Sequence, residues 1–145
     1  MNEELWRLSA CELSSGILER RFSSKDAVSS CLQRLDAVNP DINAITEVRP
    51  EAALAAADEA DKALAEGLNP GLLHGIPVCI KSNVDVQGWA TVNGCSVLKD
   101  NIAPGNSDSV QNWLDAGAIV IARTNTPEFC CRWETSNEVF GSTHN

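Results

Sequence analysis

Apolar residues in the first part of the chain recur every three or four positions, which is the period of an amphipathic helix. Ser9 and Glu12 have the spacing of a capping box, so a helix is predicted to begin at this point. Leu13, Ile17 and Leu18 then form its apolar side. The pattern predicts a helix that buries one face and leaves the other in water.

A second helix is predicted to begin at Ser23 or Ser24 and to stop at Asn39-Pro40. Its apolar positions again have helical spacing: Val28, Cys31, Leu32, Leu35 and Val38. Proline disfavours a helical conformation in the residue before it, so the helix is expected to end there.

A short strand over 42–48 and a third helix over 50–66 complete the predicted helical part, residues 1–67. Pro50 suits the first turn of a helix, and Gly67 suits its end. The third helix is rich in alanine, which permits close approach of a neighbouring element.

The pattern changes in residues 72–145. Residues 76–81 and 118–122 are short apolar runs, and a helix that begins near Ser107 lies between them. Strand, helix and strand in this order predict a crossover in an α/β domain, and continuous apolar strands indicate a sheet covered on both faces. The predicted fold class is therefore α/β, with N-terminal helices followed by a largely covered sheet.

Net charge restricts the partners that this chain is expected to bind, and cysteine usage restricts its compartment. The net charge is −9, which disfavours phosphate backbones and anionic lipid, so neither nucleic acid nor a membrane is expected as a partner. No secretory leader and no apolar run long enough to span a bilayer is recognised. The six cysteines lack the spacing of a zinc site, so we interpret them as free thiols of a cytoplasmic protein.

Lys81 is the main candidate for chemistry, because it ends an apolar run. A lysine at the end of a strand usually lays its stem on apolar neighbours and keeps its ammonium group in water. The alternative is a general base. If Ile76, Val78 and Ile80 wall the amine, desolvation lowers the pKa of the lysine, and the neutral amine can take a proton from a hydroxyl nucleophile.

Other residues have both a structural and a functional interpretation. Asn125 and Glu128 follow a predicted strand at its carboxyl end, where sites of α/β proteins gather, but Asn125 more often fixes a loop. His74 lacks a visible catalytic partner. Cys79 lies two residues from Lys81 on the same face of the strand, although a thiol in an apolar run is usually inert.

Several ordered motifs resemble the amidase signature family. They are HGIPVCIKSNVDVQG (74–88), the stretch from Thr91 to Ser96, AGAIVIARTNTPEF (116–129) and TSNEVFGSTHN (135–145). The resemblance is weak in the first 65 residues and strong from residue 74 onward. It implies that 1–145 is the N-terminal portion of a single amidase signature domain, with an incomplete mixed sheet.

The resemblance implies hydrolysis of a small-molecule amide by a Ser–cis-Ser–Lys triad, without metal or cofactor. Lys81 would be the base, and Ser136 would line the substrate pocket. Both serines of the triad belong to a glycine- and serine-rich segment that follows the last motif in the family and is not in this sequence. The family commonly has aspartate after the lysine, whereas this chain has Ser82. The chain is therefore expected to be inactive alone and to need the remainder of the amidase chain as its partner. For the full-length amidase, a homodimer is one expected assembly.

Two other functions remain open at this point. The chain could be a non-catalytic split or degenerate amidase-like subunit that binds a partner chain. It could also be a small α/β binding domain whose matches arise by chance. One component of the amidotransferase that acts on misacylated transfer RNA is a variant of the amidase hypothesis.

Overall fold

The structure is a computed structural model, and it describes residues 4–68 and 71–145. Four helices and five strands make up its regular structure, together with 3-10 turns at Leu5–Arg7, Ser96–Leu98 and Glu128–Cys130. The helices are α1 (Ala10–Leu18), α2 (Ser24–Ile42), α3 (Pro50–Ala65) and α4 (Asp108–Asp115). The strands are β1 (Ile45–Val48), β2 (Pro77–Lys81), β3 (Ile119–Thr124), β4 (Ser136–Asn137) and β5 (Gly141–Ser142).

The predicted capping box at the start of α1 is present. The Glu12 backbone N–H donates to Ser9 Oγ at 3.3 Å, and the Ser9 backbone N–H donates to the Glu12 carboxylate at 2.7 Å. These bonds to Ser9 hold the pKa of Glu12 below its usual value. Pro50 occupies the first turn of α3 as predicted, where its missing N–H has no intrahelical partner to lose.

Helix α2 does not stop at Pro40 as predicted, but continues to Ile42. The proline lies in the last turn, where few intrahelical bonds remain to be broken. Asn43 directly follows the helix and has a left-handed φ of 52°, which ends the helical backbone. The Asn39 side chain then holds the backbone that leaves the helix, because its Oδ1 accepts hydrogen bonds from the backbone N–H groups of Ala44 and Ile45. The predicted strand over 42–48 accordingly begins later, at Ile45.

A three-stranded sheet has the order β1-β3-β2, and β1 is antiparallel to β3. Ile119 N donates to Ile76 O, and Ser82 N donates to Thr124 O, so the bonded positions advance in the same direction along β2 and β3. The sheet is therefore mixed, and the α/β class is confirmed. Strands β4 and β5 form a separate small hairpin.

The chain divides into two compact units. The first contains residues 1–37, 49–78 and 113–121, of which 1–3 and 69–70 lie outside the described residues. One cluster of its core contains five buried residues: Leu5, Leu13, Ile17, Ala27 and Ile76. The apolar side predicted for α1 is thus the side that packs on this core, except that Leu18 is exposed.

The second unit contains residues 38–48, 79–112 and 122–145. Arg123 on β3 is 1% exposed in this unit, and its Nη2 donates to the carbonyl oxygens of Val84 and Ala90 at 2.7 and 3.4 Å. A buried guanidinium requires such acceptors, because an unpaired buried charge is costly. Arg123 therefore fixes the turn-rich segment that leaves β2.

Gly75 supports a direct test of packing in the first unit. It has a φ of +72°, and a Cβ there would lie 2.1 Å from Ser24 Oγ. Gly67 has a similar φ of +77°, but a Cβ there would meet nothing within 4 Å. We expect Gly67→Ala to lower the free energy of unfolding by about 1–2 kcal/mol, the cost of the left-handed backbone. Gly75→Ala should cost about 1–3 kcal/mol more, because of the clash.

Urea unfolding of the two variants and the unsubstituted chain measures this difference. Equal losses for Gly75→Ala and Gly67→Ala would show that the approach of Gly75 to Ser24 does not restrict the fold.

Candidate active site

Lys81 is the last residue of β2, and its side chain is exposed. Side chains alternate along a strand, so Cys79 is also exposed, whereas Ile80 is 5% exposed and lies on the opposite face. The prediction that Ile80 walls the amine is therefore wrong for the described residues. Side chains alternate between the two faces of a strand, and the same alternation that puts Cys79 on the face of Lys81 puts Ile80 on the other face.

Hydrogen bonds fix the backbone around Lys81. Val84 N donates to Lys81 O at 3.0 Å and closes a turn directly after β2. Ser82 N donates to Thr124 O at 3.0 Å and continues the pairing with β3. The Ser82 side chain is buried, and its Oγ has no hydrogen-bond partner within the described ranges 4–68 and 71–145. The strand end that carries the amine is thus held firmly by its neighbours.

Asn125, the first residue after β3, organises the loop that follows. Its Oδ1 accepts from Thr126 N at 2.9 Å and from Asn137 Nδ2 at 2.8 Å. Its Nδ2 donates to Thr143 Oγ1 at 3.1 Å, and its backbone N–H donates to Ala44 O. Asn125 is 6% exposed, so these bonds satisfy an amide that is almost entirely removed from water. The loop-fixing interpretation of Asn125 is confirmed.

Asn137 is a second organising amide, which the sequence pattern did not identify. Its Nδ2 donates to Asn125 Oδ1 and to Thr126 O, both at 2.8 Å. Its Oδ1 accepts from the backbone N–H groups of Val139 and Phe140. The side chain therefore uses both ends to join the β4–β5 hairpin to the loop after β3. An asparagine before a turn was the only local signal, and it did not identify the distant partner.

Cys130 is the second residue that sequence reasoning missed. Its Sγ lies 3.1 Å from Thr126 Oγ1, and the thiol is exposed. The hydrogen bond with Thr126 lowers the pKa of the Cys130 thiol, and a hydrogen bond and the positive charge of Lys81 lower it further. Lys81 and Cys130 are 49 positions apart in the sequence, so no local pattern pointed to this interaction.

Ser136 lies in β4, and it is half-buried. Ser142 Oγ donates to Ser136 Oγ at 3.1 Å across the hairpin. This contact accounts for the position of the Ser136 hydroxyl, and its role toward a substrate stays a prediction.

The remaining candidates have structural contacts or lie at the surface. His74 Nε2 lies 3.0 Å from Ala60 O in the first unit, as expected for a structural histidine. Glu128 is exposed. Within 4–68 and 71–145, no cluster of three or more His, Cys, Asp or Glu side chains could hold a metal ion.

An open groove of about 800 Å³ lies in the first unit. Trp6, Phe22 and Arg34 contribute to its lining, and the Arg34 guanidinium lies 4.3 Å from the centroid of the Trp6 ring. None of the predicted site residues lines it. No helix in the described part of the chain is both long and apolar enough to cross a membrane.

The amidase family model matches residues 26–145. The chain is 44% identical to an indoleacetamide hydrolase of Bradyrhizobium diazoefficiens, over 97% of this chain and 27% of that protein. It is 36% identical to an acylamidase of Rhodococcus erythropolis, over 99% of this chain and 30% of that protein. One component of the glutamyl-tRNA(Gln) amidotransferase of Carboxydothermus hydrogenoformans is 34% identical, over 98% of this chain and 29% of that protein.

A solved structure of a fatty acid amide hydrolase has the same fold in this region. The TM-score is 0.92 at 26% identity, and the match covers 97% of this chain and 25% of that chain. The chain thus spans less than a third of the length of these relatives.

The amide pair Asn125–Asn137 leads to a prediction about stability. Asn137→Asp keeps the shape of the side chain but replaces the donor to Asn125 Oδ1 and Thr126 O with an acceptor. We expect the free energy of unfolding to fall by about 2–4 kcal/mol at pH 7, since Thr126 O loses its donor and a carboxylate oxygen then faces both Thr126 O and Asn125 Oδ1. Urea unfolding measures the loss.

Asn101→Asp is the matched control, because it introduces the same charge at an exposed asparagine. The Nδ2 of Asn101 makes one long bond, 3.4 Å, to Thr91 O. Its replacement should cost less than about 1 kcal/mol. Equal losses in the two variants would mean that added charge, and not the lost donor, sets the effect.

Proposed function

The chain belongs to the amidase family, and from this premise we propose that it forms the lysine-bearing part of an amide-bond hydrolase. In this proposal Lys81 is the general base of a Ser–cis-Ser–Lys triad. Residues 1–145 would be the N-terminal portion of one amidase domain, and the remainder of that domain would supply both serines. The short span relative to the known family members supports this division of the site.

One observation carries the proposal: an exposed amine stands at the carboxyl end of β2 in a chain whose fold matches that of an amide hydrolase. The bonds at Ser82 and Val84 fix the backbone on which this amine stands. Its exposure in the described residues leaves the amine accessible to a serine from further polypeptide. That polypeptide would also exclude water from the amine, which favours the neutral form that a base requires.

The proposed reaction is acyl transfer to serine followed by hydrolysis. Lys81 takes the proton of the bridging serine, the bridging serine takes that of the nucleophile, and the nucleophile attacks the amide carbonyl carbon. The proton returns to the amine leaving group as the C–N bond breaks. Water then hydrolyses the ester of the acyl-enzyme. This chemistry needs neither metal nor organic cofactor.

We further propose a small-molecule amide as substrate, with Ser136 at the substrate pocket. The similarity to the indoleacetamide hydrolase supports a primary amide on a short chain. The six cysteines are free thiols, which supports a reducing compartment such as the cytoplasm.

A second candidate is a non-catalytic, split or degenerate subunit that binds a partner chain. The chain spans less than a third of each relative. This short span supports a non-catalytic subunit as much as it supports one part of a hydrolase, because both need further polypeptide. The chain is also similar to one component of an amidotransferase, so a transfer reaction is a variant of the same amide chemistry. Activity of the complete polypeptide, with and without Lys81, distinguishes a catalytic from a non-catalytic role.

The test is Lys81→Ala in the complete polypeptide that contains this chain, with release of ammonia from a primary arylacetamide as the readout. We expect kcat to fall by about 10²–10⁴-fold, the usual contribution of a general base. Lys81→Arg should fall similarly, because a guanidinium keeps its proton. Lys99→Ala is the control, since Lys99 is also an exposed lysine of the second unit and should retain activity.

A turnover within about twofold of the original in Lys81→Ala would refute the assignment of the base. No turnover in the unsubstituted polypeptide, together with stable binding of a partner chain, would favour the non-catalytic role.

A further inference from the structure

The backbone of Asn93 brings the segment of Lys81 and the segment of Cys130 together. Asn93 N donates to Ser82 O at 3.1 Å, and Phe129 N donates to Asn93 O at 2.9 Å. Ser82 directly follows Lys81, and Phe129 directly precedes Cys130. One residue thus ties the end of β2 to the loop after β3.

Gly94 closes this junction. A Cβ at Gly94 would lie 2.9 Å from Thr126 O and 3.0 Å from Glu128 N, so the two segments approach to a distance that only glycine permits. The Asn125–Asn137 pair holds the same loop from the other side through Thr126 O. The loop that carries Cys130 is therefore held by backbone and side-chain contacts close to the segment that carries Lys81.

We propose that the Lys81–Cys130 pair is a covalent modification site, at which the Cys130 thiol reacts with soft carbon electrophiles such as haloacetamides in preference to the adjacent Cys131. The exposed Cys130 thiol lies 3.1 Å from the hydroxyl of Thr126, and the backbone of Asn93 joins its segment to that of Lys81, whose positive charge acts on the thiol. This inference concerns the thiol and does not depend on the proposed hydrolase activity.

The nucleophile is the thiolate, which the Lys81 charge stabilises. Thr126 Oγ1 lies 3.1 Å from both Pro127 O and Cys130 Sγ. When the thiol loses its proton to solvent, the hydroxyl can rotate and donate to the sulfur. With iodoacetamide the sulfur attacks the methylene carbon, a C–S bond forms, the C–I bond breaks and iodide leaves.

Cys131 provides an internal comparison. It is exposed like Cys130 and occupies the next position in the chain, but its Sγ–H donates to Phe129 O at 3.4 Å. A carbonyl oxygen can only accept a hydrogen bond, so unlike the Thr126 hydroxyl it has no proton to donate to a sulfur. The two neighbouring thiols therefore have similar exposure but different hydrogen-bond partners: a hydroxyl group at Cys130 and a carbonyl oxygen at Cys131.

The experiment uses the full 145-residue chain with one of the two thiols removed. Cys131→Ala leaves Cys130, and Cys130→Ala leaves Cys131, each on the tryptic peptide 124–132. Mass spectrometry follows carbamidomethylation of this peptide by iodoacetamide at pH 7, after circular dichroism has shown that the chains are folded. We expect Cys130 to react at least about threefold faster than Cys131, and the rates to converge in concentrated urea.

Substitutions at Lys81, made in the Cys131→Ala chain, identify the source of the difference. Lys81→Met should slow Cys130 to about the rate of Cys131, and Lys81→Arg should keep the fast rate because it keeps the positive charge. Lys99→Met should change nothing. Lys81→Arg also separates this inference from the proposed function, since arginine activates a thiol but cannot serve as a general base.

Equal native rates for the two thiols would overturn the proposal, as would a fast Cys130 in a folded Lys81→Met chain. If Lys81→Met does not fold, the comparison of Cys130 with Cys131 beside the native lysine decides alone.

Discussion

The hydrogen bond between the buried side chain of Asn125 and the half-buried side chain of Asn137 organises the loops of the second unit. It joins a loop that follows β3 to a hairpin twelve residues later, and every polar atom of both side chains has a partner. A satisfied network of this kind specifies one arrangement, because each alternative leaves a buried amide without a donor or an acceptor. The loop that it fixes also carries Cys130, whose thiol interacts with the charge of Lys81.

Local rules predicted the elements well where the signal lies within a few residues. The capping box of Ser9 and Glu12 and the first turn at Pro50 depend only on neighbours in the chain, and both are present. Pro40 shows the limit of such rules. Proline disfavours a helix interior, but in the last turn the cost is small, and the side chain of Asn39 determines where the chain leaves the helix.

The candidate site was less predictable, since its geometry depends on distant pairs. Lys81 was found because it ends an apolar run, but the exposure of its side chain follows from the alternation of β2. Asn137 carries only the local signal of an asparagine before a turn, and nothing near Cys130 in the sequence identifies Lys81 as the charge that acts on it. The family resemblance pointed to segments that the structure brings together, and it gave no information about the thiol, which belongs to this chain's own loop.

The alternation of β2 also protects the chain against an error in strand alignment. If β2 were displaced by a single residue along β3, the ammonium group of Lys81 would turn into the protein interior and Ile80 would turn into water. Both changes are unfavourable, because one buries a charge and the other exposes a large aliphatic side chain. Burial of Ile80 thus fixes the register of β2, and this register places the side chain of Lys81 on the exposed face of the strand.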